Sequence, residues 1–118
     1  MFRECRFDLP YVAGYLAARE APILAQMIQE LRQEQPELVP QVIMVDGNGV
    51  LHPRRFGLAS HLGVVADIPT IGVAKNFLQI DDGAELTVKA VRESFQACLA
   101  HGHRQMSLQG QSGQIYGM

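Results

Sequence analysis

The sequence predicts an α/β fold that contains a pair of parallel strands. Two short apolar runs, residues 42–45 and Thr70–Val73, are separated by a glycine-rich loop and by a segment of helical character, Leu58–Ala66. A strand–helix–strand order of this kind is typical of parallel pairing. Since both runs are continuously apolar, we expect these strands to be covered on both faces.

Composition indicates a single globular domain over residues 1–118, with 47% apolar and 19% charged residues. The net charge of −2 excludes a strongly basic nucleic-acid coat, so any contact with nucleic acid must be local or mediated by a metal ion. Cys5 and Cys98 lack metal-binding spacing and are expected to be reduced thiols. No apolar stretch approaches the ~20 residues that span a bilayer, and the N-terminus is too polar for a signal peptide. We expect a protein of the cytoplasm, the nucleus or both, including the nucleolus, with no membrane partner.

Helices are predicted on either side of this central unit. The first should begin at Pro22, which suits a first helical turn, and end before Pro36. The second should span residues 86–99 and end at Gly102. Residues 108–118 have strand character around a Gly110–Gly113 turn, which predicts a hairpin. The apolar stripes that support the two helices are Ile23, Leu24, Met27, Ile28 and Leu31 in the first, and Val88, Val91, Phe95, Cys98 and Leu99 in the second.

Charged side chains follow both apolar runs. Asp46 ends the first run, where it is either a metal ligand or a turn-forming residue. Lys75 follows the second run, where it either holds a phosphate as a point charge or reaches into water. Glu20 is a candidate second carboxylate, although an acidic residue near a helix start also stabilises the helix dipole. Carboxylate oxygens are natural ligands of Mg²⁺, which needs only one or two of them.

The loop at 46–57 contains a Gly-x-Gly at residues 47–49. It is open to three interpretations: a phosphate cradle, bare backbone against which a flat base can lie, or a plain turn. His52, beside a proline and an arginine, is interpreted as exposed and functional. His61 is open to two interpretations, a helix residue that hydrogen-bonds its surroundings or a functional one, and His101 and His103 are interpreted as solvated. Tyr11 could stack on a base, but such tyrosines more often pack on the core.

Four blocks of the sequence together resemble the endonuclease V family, which comprises metal-dependent nucleases that recognise inosine or deoxyinosine. They are PYVAGYLAARE at 10–20, VDGNGVLHPRRFGLASHLG at 45–63, IPTIGVAK at 68–75 and, more weakly, LQGQSGQIYGM at 108–118. The 86–99 helix looks like an insertion that is nearer to eukaryotic than to bacterial members.

The resemblance implies a ribonuclease H-like fold and Mg²⁺-dependent cleavage (with Mn²⁺ as an alternative ion) on the 3′ side of inosine in RNA or of deoxyinosine in DNA, single- or double-stranded. No small-molecule cofactor is implied. The rival reading is a non-catalytic binder of nucleic acid or nucleotides. The insertion favours RNA over DNA. The site residues implied are Glu20 and Asp46 as metal ligands, Lys75 near the scissile phosphate, His52 in the active-site region, Tyr11 as a wedge, and Gly14, Leu16, Gly47, Gly49, Gly57 and Leu58 as the base pocket.

Two departures from the family pattern set further expectations. The family's first catalytic aspartate lies well upstream of the segment that begins at Pro10, and its late Gly-His segment and C-terminal helix should follow Met118. His103 precedes the hairpin match, so it is not assigned to that late histidine. We therefore expect an incomplete fold that lacks the first strands and the C-terminal helix, with weak catalysis and marginal stability for these 118 residues alone.

Overall fold

The computed structural model describes residues 4, 10, 12, 15–83 and 86–118. It is a mixed α/β structure with a two-stranded parallel sheet and a two-stranded antiparallel sheet. In chain order the elements are α1 (Leu16–Glu34), a 3₁₀ turn (Pro36–Leu38), β1 (Ile43–Asp46), α2 (Leu58–Ala66), β2 (Thr70–Val73), α3 (Val88–Ala100), β3 (Leu108–Gln109) and β4 (Ile115–Gly117).

The predicted parallel pair is confirmed. β1 and β2 pair in register from Ile43 opposite Thr70 to Asp46 opposite Val73. α2 makes the connection between them, and Asp67 ends it in the left-handed conformation (φ 49°). Because both strands run in the same direction, their carboxyl ends meet at one edge of the sheet, which is where open α/β folds bind ligands.

One apolar cluster joins α1, α2 and β1. Its buried members are Ala21, Val45, Leu58, Ala59, Leu62 and Ala66. The side chain of Arg32 in α1 donates to the carbonyl of Ala66 at 2.5 Å and so satisfies an acceptor at the end of α2. The helices are therefore joined by packing and by a cationic cap.

The predicted start of α1 was wrong. The helix begins at Leu16, and Pro22 lies inside it. A proline there lacks an N–H for the helical ladder, but Ala21 beside it is 1% exposed in the core, so packing holds the helix through this point. Glu20 consequently lies beyond the first turn, where the helix dipole gives it little stabilisation.

The expectation that both strands are covered on both faces was also wrong for the described part of the chain. Val45 is buried, whereas Met44 is 72% exposed, and Ile71 and Val73 are about half exposed. α1 and α2 cover one face of the sheet only. Apolar runs alone could not reveal this, because they mark residues able to be buried and not the elements that bury them.

The second half of the chain matches its predicted elements. Thr87 accepts from the backbone N–H of Ala90 and caps α3, and Gly102 follows the helix with φ +81°. The hairpin is antiparallel with an irregularity at Leu108 and Gln109. It packs in a second buried cluster, made of Leu51, Ile80, Leu86 and Tyr116. Among the described residues, no helix is long and apolar enough to cross a membrane.

Candidate active site

Asp46 and Lys75 lie together at the carboxyl ends of the parallel strands. Lys75 Nζ is 3.8 Å from Asp46 Oδ2, and the two side chains are 84% and 75% exposed. An ion pair this exposed contributes little to stability. Both groups border an open depression of about 330 Å³, which leaves an anionic acceptor and a cationic donor available to a ligand.

The glycine loop that follows β1 is closed on itself by its own backbone. The N–H of Gly47 donates to Val73 at 3.0 Å, the N–H of Gly57 to Gly49 at 2.8 Å, and the N–H of Ala59 to Asn48 at 3.1 Å. The start of the loop is thus tied to β2, and its end is folded back on the Gly-x-Gly.

The three glycines of the loop differ in whether the surrounding structure excludes a side chain at their position. A Cβ on Gly57 would overlap the carbonyl oxygen of Asn48, and Gly47 has φ +155°, so both have a backbone reason. A Cβ on Gly49 would meet only Ser60 Oγ, at 3.6 Å, which is ordinary contact. Packing therefore accounts for Gly57 and leaves Gly49 free to face a ligand.

Gly72 is a residue that sequence reasoning missed. A Cβ there would lie 2.6 Å from the carbonyl oxygen of Gly47 and 2.8 Å from the N of Gly49. The signal was available, because a glycine inside a strand often marks the close approach of another backbone. Here that backbone is the start of the glycine loop.

His52 was expected to be exposed, and this was wrong. It is 6% exposed, and its Nδ1 accepts from the backbone N–H of Arg54 at 3.2 Å. Its carbonyl accepts from the N–H of Arg55 at 2.8 Å. The buried ring therefore supports the loop from inside.

Of the remaining predicted site residues, three lie in or beside the first apolar cluster and two lie outside the described residues. Glu20 is half buried on α1, next to Ala21, which shares a buried cluster with Val45, the neighbour of Asp46. Leu16 and Leu58 both belong to or pack on that cluster, so core packing accounts for their apolar character. Tyr11 and Gly14 lie outside the described residues.

Two neighbouring arginines anchor the middle of the loop. The guanidinium of Arg54 lies 4.1 Å from the centre of the Tyr15 ring, and that of Arg55 lies 4.3 Å from the centre of the Tyr116 ring. Arginine over a tyrosine face is a favourable cation–π arrangement. The loop is thereby joined to the start of α1 on one side and to the hairpin on the other.

A cavity of about 270 Å³ lies between the glycine loop and the hairpin. Asn48, Gly49 and Gly72 line one side of it, and Tyr116 and Gly117 line the other. Of the described positions expected to form a base pocket, Gly49 lines this cavity, while Leu16, Gly47, Gly57 and Leu58 do not. Ala74 borders both this cavity and the depression at Asp46 and Lys75, so the two are adjacent.

The family model for endonuclease V matches residues 1–113. The chain belongs to the endonuclease V family. It is similar to human endonuclease V, with 48% identity over 116 residues that make up 98% of this chain and 40% of that protein. It is also similar to the endonuclease V of Protochlamydia amoebophila, with 53% identity over 73 residues, which are 62% of this chain and 29% of that protein.

Among solved structures, the chain resembles Ciona intestinalis endonuclease V in complex with a 24mer DNA that contains an inosine followed by a ribo-adenosine. The TM-score is 0.84 and the identity 36%, over 94% of this chain and 46% of that one. This likeness confirms the predicted ribonuclease H-like α/β class. The chain therefore spans slightly less than half the length of the Ciona intestinalis protein and about two fifths of the human relative.

The side chains at the strand ends suit a hard divalent cation. Asp46 offers an exposed carboxylate at the end of β1, and Glu20 carries a half-buried one on α1. The described residues contain no group of three or more histidines, cysteines or acidic side chains placed to hold a metal. One or two carboxylates, with water and phosphate oxygens completing the shell, is the usual arrangement for Mg²⁺ and is a poor one for Zn²⁺.

Proposed function

We propose that this protein takes part in Mg²⁺-dependent hydrolysis of a phosphodiester bond on the 3′ side of inosine, with RNA preferred over DNA. The observation that carries the proposal is the pairing of Asp46 with Lys75 at the strand ends, beside a cavity lined by Gly49. Membership of the endonuclease V family supports the reaction class. The Ciona intestinalis relative binds a DNA strand that contains an inosine followed by a ribo-adenosine, which supports an inosine-containing nucleic acid as the substrate, and the preference for RNA rests on the eukaryote-like insertion at residues 86–99.

In this proposal Asp46 and Glu20 hold the cation, with Mn²⁺ able to replace Mg²⁺. A cation held there would activate a water molecule and would neutralise charge at the phosphate. Lys75 holds a non-bridging phosphate oxygen in the open depression, and its fixed positive charge stabilises the negative charge that develops there. His52 keeps the loop in shape from within, since its ring is buried and accepts a backbone hydrogen bond.

Base selection falls to the cavity between the glycine loop and the hairpin. Its volume of about 270 Å³ is just below the range of roughly 300–1,000 Å³ typical of small-ligand pockets. A displaced base in such a pocket is read by hydrogen bonds on its edge. Bare backbone at Gly49 lets the base approach closely, and hypoxanthine, which lacks the exocyclic amine of guanine, fits where guanine is excluded. The resemblance to endonucleases V assigns Tyr11 to the gap left by the displaced base and Gly14 to base recognition, and both stay predictions because they lie outside the described residues.

The test uses matched RNA and DNA strands that differ only in carrying inosine or guanosine at one position. Cleavage is measured with Mg²⁺, with Mn²⁺ and with chelator, on the protein in its longest natural form. We expect cutting of the inosine RNA only, and a loss of at least a hundredfold in Asp46→Asn. Glu37→Gln, which removes an exposed charge outside the site, is the matched control and should cut normally.

Each outcome decides between the alternatives. Inosine-selective binding without cleavage in any metal would establish the rival function, a non-catalytic nucleic-acid binder. Retained cutting by Asp46→Asn would remove that residue from the metal site. A stronger preference for the deoxyinosine strand would reverse the proposed preference for RNA.

A further inference from the structure

Asp82 is the centre of a polar network that no sequence motif announced. Its Oδ2 accepts from Ser112 Oγ and from the hydroxyl of Tyr116, both at 2.6 Å, and its Oδ1 accepts from the N–H of Ser112 at 3.1 Å. Its own carbonyl accepts from the N–H of Gln111 at 2.9 Å. One residue therefore fastens both the turn and the second strand of the hairpin.

The same carboxylate also reaches the glycine loop. Arg55 Nη1 lies 3.9 Å from Asp82 Oδ2, and the side chain of Asp82 is only 11% exposed. A charge pair partly withdrawn from water is screened less than one at the surface. Because the guanidinium of Arg55 also lies on the Tyr116 ring, and Tyr116 donates to Asp82, the three side chains form a closed set.

Arg55 has a backbone conformation that needs such support. Its φ is +56°, a left-handed value that is costly for a residue with a Cβ and that persists where surrounding contacts hold it. Arg55 stands close before Gly57, whose N–H closes the loop on Gly49. The position of Arg55 thus determines how the loop returns to the glycine that lines the cavity.

We propose that Asp82 is a positioning residue for base selection: by holding Arg55 and the hairpin together, it sets the width of the cavity between Gly49 and Tyr116. Asp82 does not itself line the cavity. It acts through Tyr116, which lines the cavity, and through Arg55, which belongs to the loop that forms the opposite wall. This inference rests on the proposed function, because it assigns the cavity to the inosine base.

The network allows a matched pair of variants. Asp82→Asn keeps the shape of the side chain, removes the charge that faces Arg55, and replaces one of the two accepting oxygens by an NH2 donor. Ser112→Ala removes one hydrogen bond to Asp82 on the hairpin side and leaves the Arg55 contact in place. If the role of Asp82 is purely structural, both variants should reduce inosine binding in the same way, by lowering the fraction of folded protein. If Asp82 is a positioning residue, only Asp82→Asn should reduce the preference for inosine.

The first readout is the ratio of dissociation constants for two labelled oligonucleotides that differ only in guanosine or inosine, measured by fluorescence anisotropy on the protein in its longest natural form. We expect Asp82→Asn to lower the inosine preference five- to tenfold, with guanosine affinity changed less than twofold. Arg55→Ala should lose the same preference, and the double variant should lose no more than either single one. Ser112→Ala should keep the preference within twofold.

The second readout is independent of nucleic acid. The N–H of Gly57 is bonded to Gly49, and that of Arg55 to His52, so amide hydrogen exchange reports directly on loop closure. Asp82→Asn should raise exchange at both amides at least tenfold, and Ser112→Ala should leave them unchanged.

These readouts distinguish the two proposals. The unmodified chain could show no preference for inosine while Asp82→Asn still raises hydrogen exchange at the Gly57 amide. In that case the proposed function fails for this chain, and Asp82 positions the loop without any role in base selection. Unchanged exchange at Gly57 in Asp82→Asn, or an equal loss of affinity for both oligonucleotides, would overturn the positioning role.

Discussion

The region formed by α1, β1 and α2 and the region around the hairpin are held together by different forces. In the first, six buried apolar residues from three elements form the contact. In the second, four buried residues are supplemented by one carboxylate that binds a serine, a tyrosine and an arginine. Apolar packing is non-directional and tolerates small shifts, whereas a hydrogen-bonded network fixes relative positions. Apolar packing therefore stabilises the first region, and hydrogen bonds fix the relative positions of the loop and the hairpin in the second.

The largest expected effect lies in the apolar region. Leu62 is 1% exposed in the first cluster, so Leu62→Ala should lower the free energy of unfolding by about 2–5 kcal/mol. Chemical denaturation followed by circular dichroism measures it. Val64→Ala on the same helix is the control, because Val64 is 70% exposed and should change stability by less than about 0.5 kcal/mol. Equal effects would mean that α2 is not seated as described.

The next effect lies in the polar region. A Cβ on Gly110 would overlap the carboxylate of Asp82 and approach the Tyr116 ring at 2.9 Å, so Gly110→Ala should cost about 1–3 kcal/mol of unfolding free energy. A Cβ on Gly117 meets its nearest atom, in Leu108, at 3.7 Å. Gly117→Ala is therefore the matched control, expected to be near neutral. A neutral Gly110→Ala would show that the network yields easily.

These two regions also differ in how far the sequence foretold them. The parallel pair and α2 were predicted because their signals are local: apolar runs, a loop of glycines and a small-residue helix. The exposed faces of the strands and the burial of His52 were not, since burial depends on which distant elements arrive. Asp82 reads locally as part of an Asp-Gly turn, and its partners Ser112 and Tyr116 are 30 and 34 residues away. No periodicity encodes such a contact.

The candidate site follows the same division. Asp46 and Lys75 were foreseen because strand ends in a parallel pair must meet. The structure adds that Gly57 and Gly72 must be glycine because a Cβ there would overlap neighbouring backbone atoms. The sequence alone cannot distinguish such a glycine from one that makes room for a ligand. Gly49, by contrast, is the glycine of this loop for which the described neighbours supply no packing reason.

That distinction predicts a moderate, site-specific effect. Gly49→Ala should fold with nearly unchanged stability, because its Cβ meets only Ser60 Oγ at an ordinary distance. It should nevertheless weaken binding of an inosine oligonucleotide about tenfold by filling the cavity wall. Thermal unfolding and anisotropy, compared with Gly57→Ala, check this; we expect Gly57→Ala to unfold more easily because of the overlap with Asn48. Parallel loss of stability in both variants would make Gly49 an ordinary turn residue.

The smallest effect on stability, and a selective one on binding, should come from two lysines in matched surroundings. Lys75 and Lys89 are 84% and 86% exposed, and each has a carboxylate at 3.8–3.9 Å. Since exposed pairs contribute at most about 1 kcal/mol, either change to alanine should leave unfolding nearly unchanged. Only Lys75→Ala should reduce the slope of log affinity against log salt for a single-stranded inosine oligonucleotide, by about 0.7, the value for one lost phosphate contact. Anisotropy titrations over a series of salt concentrations measure this slope. Equal slopes in the two variants would place Lys75 away from the phosphate and leave it a surface charge like Lys89.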